Sequence, residues 1–219
     1  MELFDNLHAF LWLNPTANNC NAYLISGDKN ILVDPGHYAL FDHVRTELER
    51  LSLSPQDIDL VMITHGHPDH LEGVKIFAST STLIAIHKIE MDYIRNVTPH
   101  YGEALGISNF EPDILLQEGS LKTGDLNFEV IHTPGHSPGS FCIYWPAKKV
   151  LFTGDVVFNQ GLGRTDLPGG QGQQLKDSIK RLSHLEVDYL LPGHGDIIVG
   201  RERVEANFAD IQRMWFGYL

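Results

Sequence analysis

The stretch Thr64-His65-Gly66-His67-Pro68-Asp69-His70 places three imidazoles and a carboxylate within six residues, directly after the apolar run Leu60-Val61-Met62-Ile63. The apolar run predicts a buried strand, and the Gly and Pro after it predict a tight loop at the edge of the sheet. Side chains crowded into that small volume would repel or desolvate one another unless a cation lay among them. Neutral imidazole and ionised carboxylate are ligands of zinc, iron and manganese. The stretch therefore predicts a metal site.

Three further segments place a histidine or an aspartate where a predicted strand ends. They are His132-Thr133-Pro134-Gly135-His136-Ser137-Pro138-Gly139, Phe152-Thr153-Gly154-Asp155 and Leu190-Leu191-Pro192-Gly193-His194-Gly195. A rigid strand can aim the side chains of the loop that follows it. Each segment therefore adds candidate metal ligands or catalytic groups.

These segments resemble the metallo-β-lactamase superfamily over nearly the whole chain. Within it, Gly163-Arg164-Thr165-Asp166-Leu167-Pro168-Gly169-Gly170 is similar to a segment of the glyoxalase II-like (hydroxyacylglutathione hydrolase-like) enzymes. The resemblance implies an α/β fold, the four-layer αββα sandwich of the metallo-β-lactamase type. It also implies two divalent metal ions as cofactors, with zinc favoured and iron or manganese as the alternatives.

Carried over to this sequence, the resemblance assigns a ligand set and two catalytic groups. The first metal ion would be held by His65, His67 and His136, and the second by Asp69, His70 and His194, with Asp155 bridging the two. Asp155 would hold the ions roughly 3.5–4 Å apart, so that a shared hydroxide attacks the substrate while both ions stabilise negative charge. Asp69 would both ligate and move a proton.

Other residues gain roles beside the metal ions from the same resemblance. Asp34 would support the loop of residues 64–70, the metal loop, from behind. His37 would contact the substrate or hold a metal ligand in place, and Tyr101 would contact the substrate. Arg164 has two interpretations, because its guanidinium can bind a substrate carboxylate or pair with Asp166 to hold its own loop.

The resemblance implies hydrolysis of a thioester or a related acyl compound, with a hydroxyacyl-glutathione as the leading substrate. The chain stops before the longer C-terminal helical domain with which full-length glyoxalase II enzymes bind glutathione, so another acyl substrate stays open. The main alternative is a persulfide dioxygenase that holds one iron through His65, His136 and Asp155. A lactonase of the same fold and a non-catalytic metal-binding module are further alternatives.

Composition favours a small-molecule substrate over a nucleic acid. The 219 residues contain 16 basic and 28 acidic residues, a formal net charge of −12, whereas phosphate binding needs a cationic surface. Two cysteines, Cys20 and Cys142, cannot form a disulfide framework and predict reduced core thiols. No signal peptide or membrane-spanning run is visible, which predicts a cytoplasmic protein without membrane contact.

A length of 219 residues allows one large domain or two small ones. Because no Ser/Pro-rich linker divides the chain, we predict one domain over residues 1–219. Predicted strands lie at 8–13, 20–26, 30–34, 59–63, 83–86, 113–117, 126–131, 139–145, 149–153 and 187–191. Predicted helices lie at 39–51, near 74–77, and at 87–107, 172–184 and 200–216. The aromatic-rich part of helix 87–107 predicts a lid, a dimer contact or an ordinary surface helix. The apolar end 214–219 packs onto the domain or against a second subunit, which leaves a homodimer open.

Overall fold

The first half of the chain folds around a seven-stranded sheet whose strands follow one another in sequence order. The structure is a computed structural model that describes the backbone of residues 1–105 and 111–219, and the side chains of residues 1–96 and 111–219. Two compact units are present, Met1–Leu116 and Gln117–Leu219. That residues 1–219 act as one domain stays a prediction.

The first unit contains strands and helices in alternation after an antiparallel start. Its strands are β1 (Glu2–Phe4), β2 (Leu7–Phe10), β3 (Ala22–Ile25), β4 (Ile31–Val33), β5 (Leu60–Ile63), β6 (Leu83–His87) and β7 (Ile114–Leu116). Its helices are α1 (Asp42–Arg50), α2 (Pro68–Leu71) and α3 (Lys88–Leu105), with short 3-10 helices at Tyr38–Leu40, Pro55–Asp57 and Glu72–Phe77.

Strand direction in this sheet determines which loops meet. Strands β1 to β4 pair antiparallel, whereas β4, β5, β6 and β7 pair parallel. The carboxyl ends of β4, β5 and β6 therefore lie at the same edge of the sheet. All four residues of β5 are buried, as expected for a parallel strand that is covered on both faces. Val44 and Leu48 of α1 and Met91 and Ile94 of α3 complete this core.

The second unit contains a six-stranded sheet and a short hairpin. Its strands are β8 (Gly119–Thr123), β9 (Leu126–His132), β10 (Phe141–Trp145), β11 (Val150–Gly154), β12 (Val157–Phe158), β13 (Gly161–Leu162), β14 (Tyr189–Pro192) and β15 (Ile198–Val199). Its helices are α4 (Gly172–Leu182) and α5 (Arg201–Trp215), and a 3-10 helix spans Pro146–Lys148. The six-stranded sheet has the order β15-β14-β11-β10-β9-β8, and β12 pairs with β13 alone.

Three strands of the second sheet run in the same direction. Strand β10 is antiparallel to both β9 and β11, and β11 is parallel to β14. The carboxyl ends of β9, β11 and β14 therefore share one edge. Helix α4 buries Leu175, Ile179 and Leu182 at helical spacing, and these side chains join the core of this unit.

Most predicted elements are present with ends shifted by a few residues. The predicted strands 139–145 and 149–153 correspond to antiparallel β10 and β11, which the 3-10 helix Pro146–Lys148 joins. The strands that the sequence analysis missed are β1, β8, β12, β13 and β15, which are short or have a side exposed to solvent. Both cysteines are buried and neither forms a disulfide, as predicted, and burial raises the pKa of the Cys142 thiol to about 12.

The predicted helix at 87–107 corresponds to α3, and its first two turns form a packed face. Glu90, Met91 and Ile94 are buried there, which agrees with the surface-helix interpretation of this part. The side chains of residues 97–110, including that of Tyr101, lie outside the described residues. A role of the segment as a lid or dimer contact stays a prediction. In the part of the chain that the structure describes, no helix is both long and apolar enough to cross a membrane.

Candidate metal centre

The loop after β5 brings four predicted ligands of the first unit together. Pro68 is the first residue of α2, a helix position that proline favours, and His67 is the N-cap residue. The helix therefore starts inside the motif and places Asp69 and His70 in its first turn. An added Cβ at Gly66 would lie 2.6 Å from Cδ1 of Ile94, so a side chain there would displace the end of the Ile94 side chain.

The nitrogen atoms of this loop lie close to one another and to a carboxylate. His65 Nε2 is 3.0 Å from His67 Nδ1, and His70 Nε2 is 3.9 Å from Asp69 Oδ2. The ring centroids of His65 and His70 are 4.1 Å apart. His65 and His70 are fully buried and Asp69 is nearly so.

Asp34 anchors this loop from the end of the neighbouring strand. Because β4 and β5 are parallel, Asp34 after β4 and Thr64 after β5 meet at the same edge. The Asp34 carboxylate accepts the backbone N–H of Thr64 at 2.8 Å, the Thr64 hydroxyl at 2.7 Å and His70 Nδ1 at 2.9 Å. Asp34 is buried and takes a left-handed φ of 53°, which aspartate tolerates better than most residues. The predicted support from behind the loop is confirmed.

These contacts determine which ring nitrogen of two histidines carries the proton. An ionised carboxylate only accepts, so His70 donates Nδ1–H to Asp34 and presents the lone pair of Nε2 when neutral. The Thr64 hydroxyl uses its proton on Asp34, so it accepts Nδ1–H from His65 at 3.1 Å. His65 then also presents the lone pair of Nε2. Outer hydrogen bonds of this kind orient metal-binding histidines in proteins.

Two residues that sequence reasoning missed also contact the loop. Asn18 Nδ2 donates to Asp69 Oδ2 at 2.8 Å, and the Glu90 carboxylate accepts the Gly66 N–H at 2.7 Å. Glu90 opens α3 directly after β6, which is parallel to β5, so it reaches the same sheet edge. The contact of Glu90 with Gly66 depends on β5 and β6 being neighbours, and the sequence does not show which strands pair.

The second unit brings His136, Asp155 and His194 together at one edge of its sheet. Each follows one of the three strands that run in the same direction, β9, β11 and β14. Asp155 Oδ2 lies 3.6 Å from His136 Nε2 and 3.3 Å from His194 Nε2. His136 Nδ1 donates to the Arg164 carbonyl at 2.8 Å, so its Nε2 presents the lone pair toward Asp155.

The donor set of both clusters fits divalent metal ions. Hydrogen bonds between nitrogen and oxygen are usually about 2.9–3.0 Å long, shorter than the two contacts of Asp155 Oδ2. Two ligands about 2.1 Å from one ion lie roughly 3.0–3.4 Å apart at ordinary coordination angles. The spacings of the His65–His67 and His194–Asp155 pairs fall in this range, and that of His136–Asp155 is just above it. The histidine and aspartate clusters therefore fit a metal site.

His37 and Arg164, two of the residues predicted to contact substrate, have partners of their own in the structure. His37 Nδ1 lies 3.0 Å from Glu72 Oε2, and its backbone N–H donates to Asn19. Arg164 binds both carboxylate oxygens of Asp166, at 2.7 and 2.6 Å, which confirms the predicted pairing within the loop. That His37, Tyr101 or Arg164 contacts a substrate stays a prediction.

The Arg164–Asp166 pair leads to a prediction about titration. Its hydrogen bonds lower the pKa of the Asp166 carboxyl to about 2. Because the folded pKa is depressed, we expect the pairing to persist above the ordinary carboxyl pKa near 4 and to be lost as the pH falls through about 2. Carbon-detected NMR titration measures this. In Arg164→Ala the Asp166 pKa should return toward its ordinary value, and an unchanged pKa would show that the pair does not form in solution.

Each unit places histidines and aspartates at the ends of strands, and neighbouring residues orient them through hydrogen bonds. These features define a metal-binding α/β protein. The model of the metallo-beta-lactamase superfamily matches residues 15–200. The chain belongs to this superfamily.

Individual relatives agree with that assignment. The hydroxyacylglutathione hydrolase GloC of Haemophilus influenzae is 35% identical over 208 residues, which cover 86% of this chain and 92% of GloC. The crystal structure of TTHA1623 in a di-iron-bound form is 30% identical with a TM-score of 0.67, over 85% of this chain and 92% of that one. The BLEG-1 B3 metallo-beta-lactamase is 30% identical with a TM-score of 0.73, over 94% of this chain and 96% of that one. These matches confirm the predicted fold class and a metal-binding hydrolase.

Proposed function

We propose that this chain is a metal-dependent thioester hydrolase that acts on a small acyl compound of the hydroxyacyl-glutathione type. The observation that carries the proposal is the position of Asp155, one oxygen of which faces His136 Nε2 and His194 Nε2 together. A carboxylate shared by two ligand histidines suits a bridge between two ions. The similarity to GloC supports the thioester as the substrate class.

We further propose that the two units act as one domain and that seven residues hold two divalent ions, with zinc favoured over iron or manganese. The family match over residues 15–200 includes all of these residues and so supports the proposal. The residues are His65, His67, Asp69, His70, His136, Asp155 and His194.

The protein's own residues orient the donors and handle the proton. When bound, the ions would acidify a water molecule and stabilise the negative charge that develops on the substrate carbonyl oxygen. Asp34 and Thr64 keep the protons of His70 and His65 on Nδ1. Asn18 holds Asp69 Oδ2 in one orientation, and we assign to the Asp69 carboxylate the uptake of the proton released in the attack.

Metal quantification on the purified protein, followed by a substrate panel, tests the proposal. The panel contains a hydroxyacyl-glutathione thioester, a lactone, a β-lactam and glutathione persulfide with an oxygen electrode. We expect two divalent ions per chain and a kcat/KM for the thioester at least about tenfold above those for the lactone and the β-lactam, a difference of about 1.4 kcal/mol in transition-state binding.

Other outcomes of the same panel would contradict the proposal. One iron per chain with oxygen consumption on the persulfide would replace the hydrolase by the dioxygenase alternative, with iron on His65, His136 and Asp155. Preference for the β-lactam would indicate a β-lactamase, the activity for which BLEG-1 is named. Preference for the lactone would change the substrate class and leave the metal centre in place.

A further inference from the structure

A short hairpin carries Asp155 and contacts the other two members of the His136, Asp155 and His194 cluster. This ligand hairpin, residues 155–164, begins at Asp155, pairs β12 with β13 and ends at Arg164. We infer that Asn207 of α5 is a positioning residue for the metal centre and acts through the ligand hairpin. The inference rests on the proposed metal centre.

The two arms of the hairpin each contact a histidine of the cluster. The Phe158 ring meets the His194 ring edge to face, with 5.9 Å between the centroids. The carbonyl of Arg164 accepts the Nδ1–H of His136 at 2.8 Å. A shift of the hairpin would therefore disturb the orientation of both rings.

The end of the hairpin packs tightly against its own beginning. A Cβ at Gly163 would lie 1.8 Å from the backbone oxygen of Asp155 and 3.0 Å from His136 Nδ1. No side chain fits there, so the segment after β13 rests directly on the backbone that carries Asp155. The geometry of Asp155 thus depends on where the hairpin lies.

Helix α5 holds the tip of the hairpin through three hydrogen bonds. Asn207 Oδ1 accepts the Gln160 N–H at 2.7 Å, and Asn207 Nδ2 donates to the Phe158 carbonyl at 2.9 Å. Trp215 Nε1 donates to the Gln160 carbonyl at 3.1 Å. Asn207 is only 6% exposed, and a side-chain amide provides a donor and an acceptor at one position.

The backbone at the tip requires this support. Gln160 has a φ of 61°, a left-handed conformation that costs about 1–2 kcal/mol for a residue other than glycine. Each strand of the hairpin has only two residues, and a hairpin of this length is at best marginally stable by itself. The bonds from Asn207 therefore keep the hairpin, and with it Phe158 and Gly163, in one position.

The test uses Asn207→Leu, which keeps a similar volume and removes both hydrogen bonds. Gln212→Leu is the matched control, because Gln212 lies on the same helix and its amide reaches Ser183 instead of the hairpin. Each full-length protein is stripped of metal and titrated with cobalt(II), with the visible spectrum and a competing chromophoric chelator as readouts. Urea unfolding of the metal-free proteins measures stability separately.

We expect Asn207→Leu to weaken cobalt affinity by about 10-fold or more and to change the visible bands, as loss of outer support does at metal sites. Gln212→Leu should match the native protein. A lower urea midpoint for Asn207→Leu with native affinity and spectrum would overturn the inference, because Asn207 would then serve stability alone.

A second variant tests the inference if Asn207→Leu does not fold. Phe158→Leu leaves the backbone carbonyl that Asn207 binds and removes the ring contact to His194. A changed cobalt spectrum supports transmission through the hairpin, and a native spectrum overturns it. Native cobalt binding without thioester hydrolysis would contradict only the proposed function. Native hydrolysis with unchanged variant spectra would contradict only the inference.

Discussion

Asp155→Ala is expected to reduce metal content below two ions per chain and to lower thioester hydrolysis by roughly 10²–10³-fold. The carboxylate faces His136 Nε2 and His194 Nε2 at 3.6 and 3.3 Å, and alanine leaves both imidazoles without the anion that completes their donor set. A divalent ion held by neutral nitrogens alone keeps more positive charge and lacks a bridge to its neighbour. Metal quantification and kcat/KM on one preparation measure the two losses together.

The control for this variant is Asp125→Ala. Asp125 is exposed in the turn between β8 and β9 and has no contact with the cluster among the described contacts of this unit. It should keep native metal content and activity. Full hydrolysis by Asp155→Ala with one ion per chain would contradict the bridging role and would favour a mononuclear site.

The local positions of the predicted ligands could be inferred from the sequence because each follows a strand that is recognisable by itself. The apolar run 60–63 ends directly before the metal loop, and Leu190-Leu191 ends before His194. Inward-facing apolar residues and loop glycines are local signals. The carboxyl ends of such strands carry functional groups in α/β sheets.

The supporting residues could not be inferred, because their roles depend on which strands are neighbours. Glu90 reaches the Gly66 amide only because β6 pairs parallel with β5. Asn18 lies 51 residues before Asp69, and nothing in its local sequence indicates that contact. Asp34 is the exception, because the resemblance to the family predicted its contact with the metal loop, which the sequence pattern does not show.

The ligand hairpin could not be predicted from the sequence for a different reason. Its turn has Gln160 in a left-handed conformation, where sequence rules expect glycine or asparagine. The conformation is stabilised by Asn207 and Trp215, more than 40 residues further along the chain. Strand β8 was missed because no residue of it is fully buried, so its apolar pattern is weak.

Asp34→Ala is expected to lower the free energy of unfolding by about 2–4 kcal/mol, the largest stability effect we predict for one residue of this unit. The change leaves three buried donors without their acceptor, namely the Thr64 N–H, the Thr64 hydroxyl and His70 Nδ1–H. Each buried polar group left unsatisfied costs about 1–3 kcal/mol, and local relaxation recovers part of the sum. Urea unfolding of the metal-free protein measures the effect.

Asp34→Asn separates this stability effect from the effect on metal binding. Asparagine accepts the left-handed φ of 53° and still offers one oxygen to the Thr64 N–H. Its NH₂ group then takes the place of the oxygen that faces His70 Nδ1. His70 can accept a hydrogen bond from this NH₂ group only when Nδ1 has the lone pair and Nε2 carries the proton. We expect a smaller loss of stability than in Asp34→Ala, with metal affinity reduced about 10–100-fold.

The matched control is Asp59→Asn, in the same unit. Asp59 also accepts a backbone N–H, that of Asn30, together with Lys29, but it precedes β5 and so lies at the opposite end of the strand from the metal loop. It should change stability slightly and leave metal affinity as in the native protein. Of these two changes, only Asp34→Asn is expected to move the proton of His70. Native metal affinity in Asp34→Asn would therefore contradict the prediction. The Asp34 carboxylate would then hold the loop without determining which ring nitrogen of His70 binds the ion.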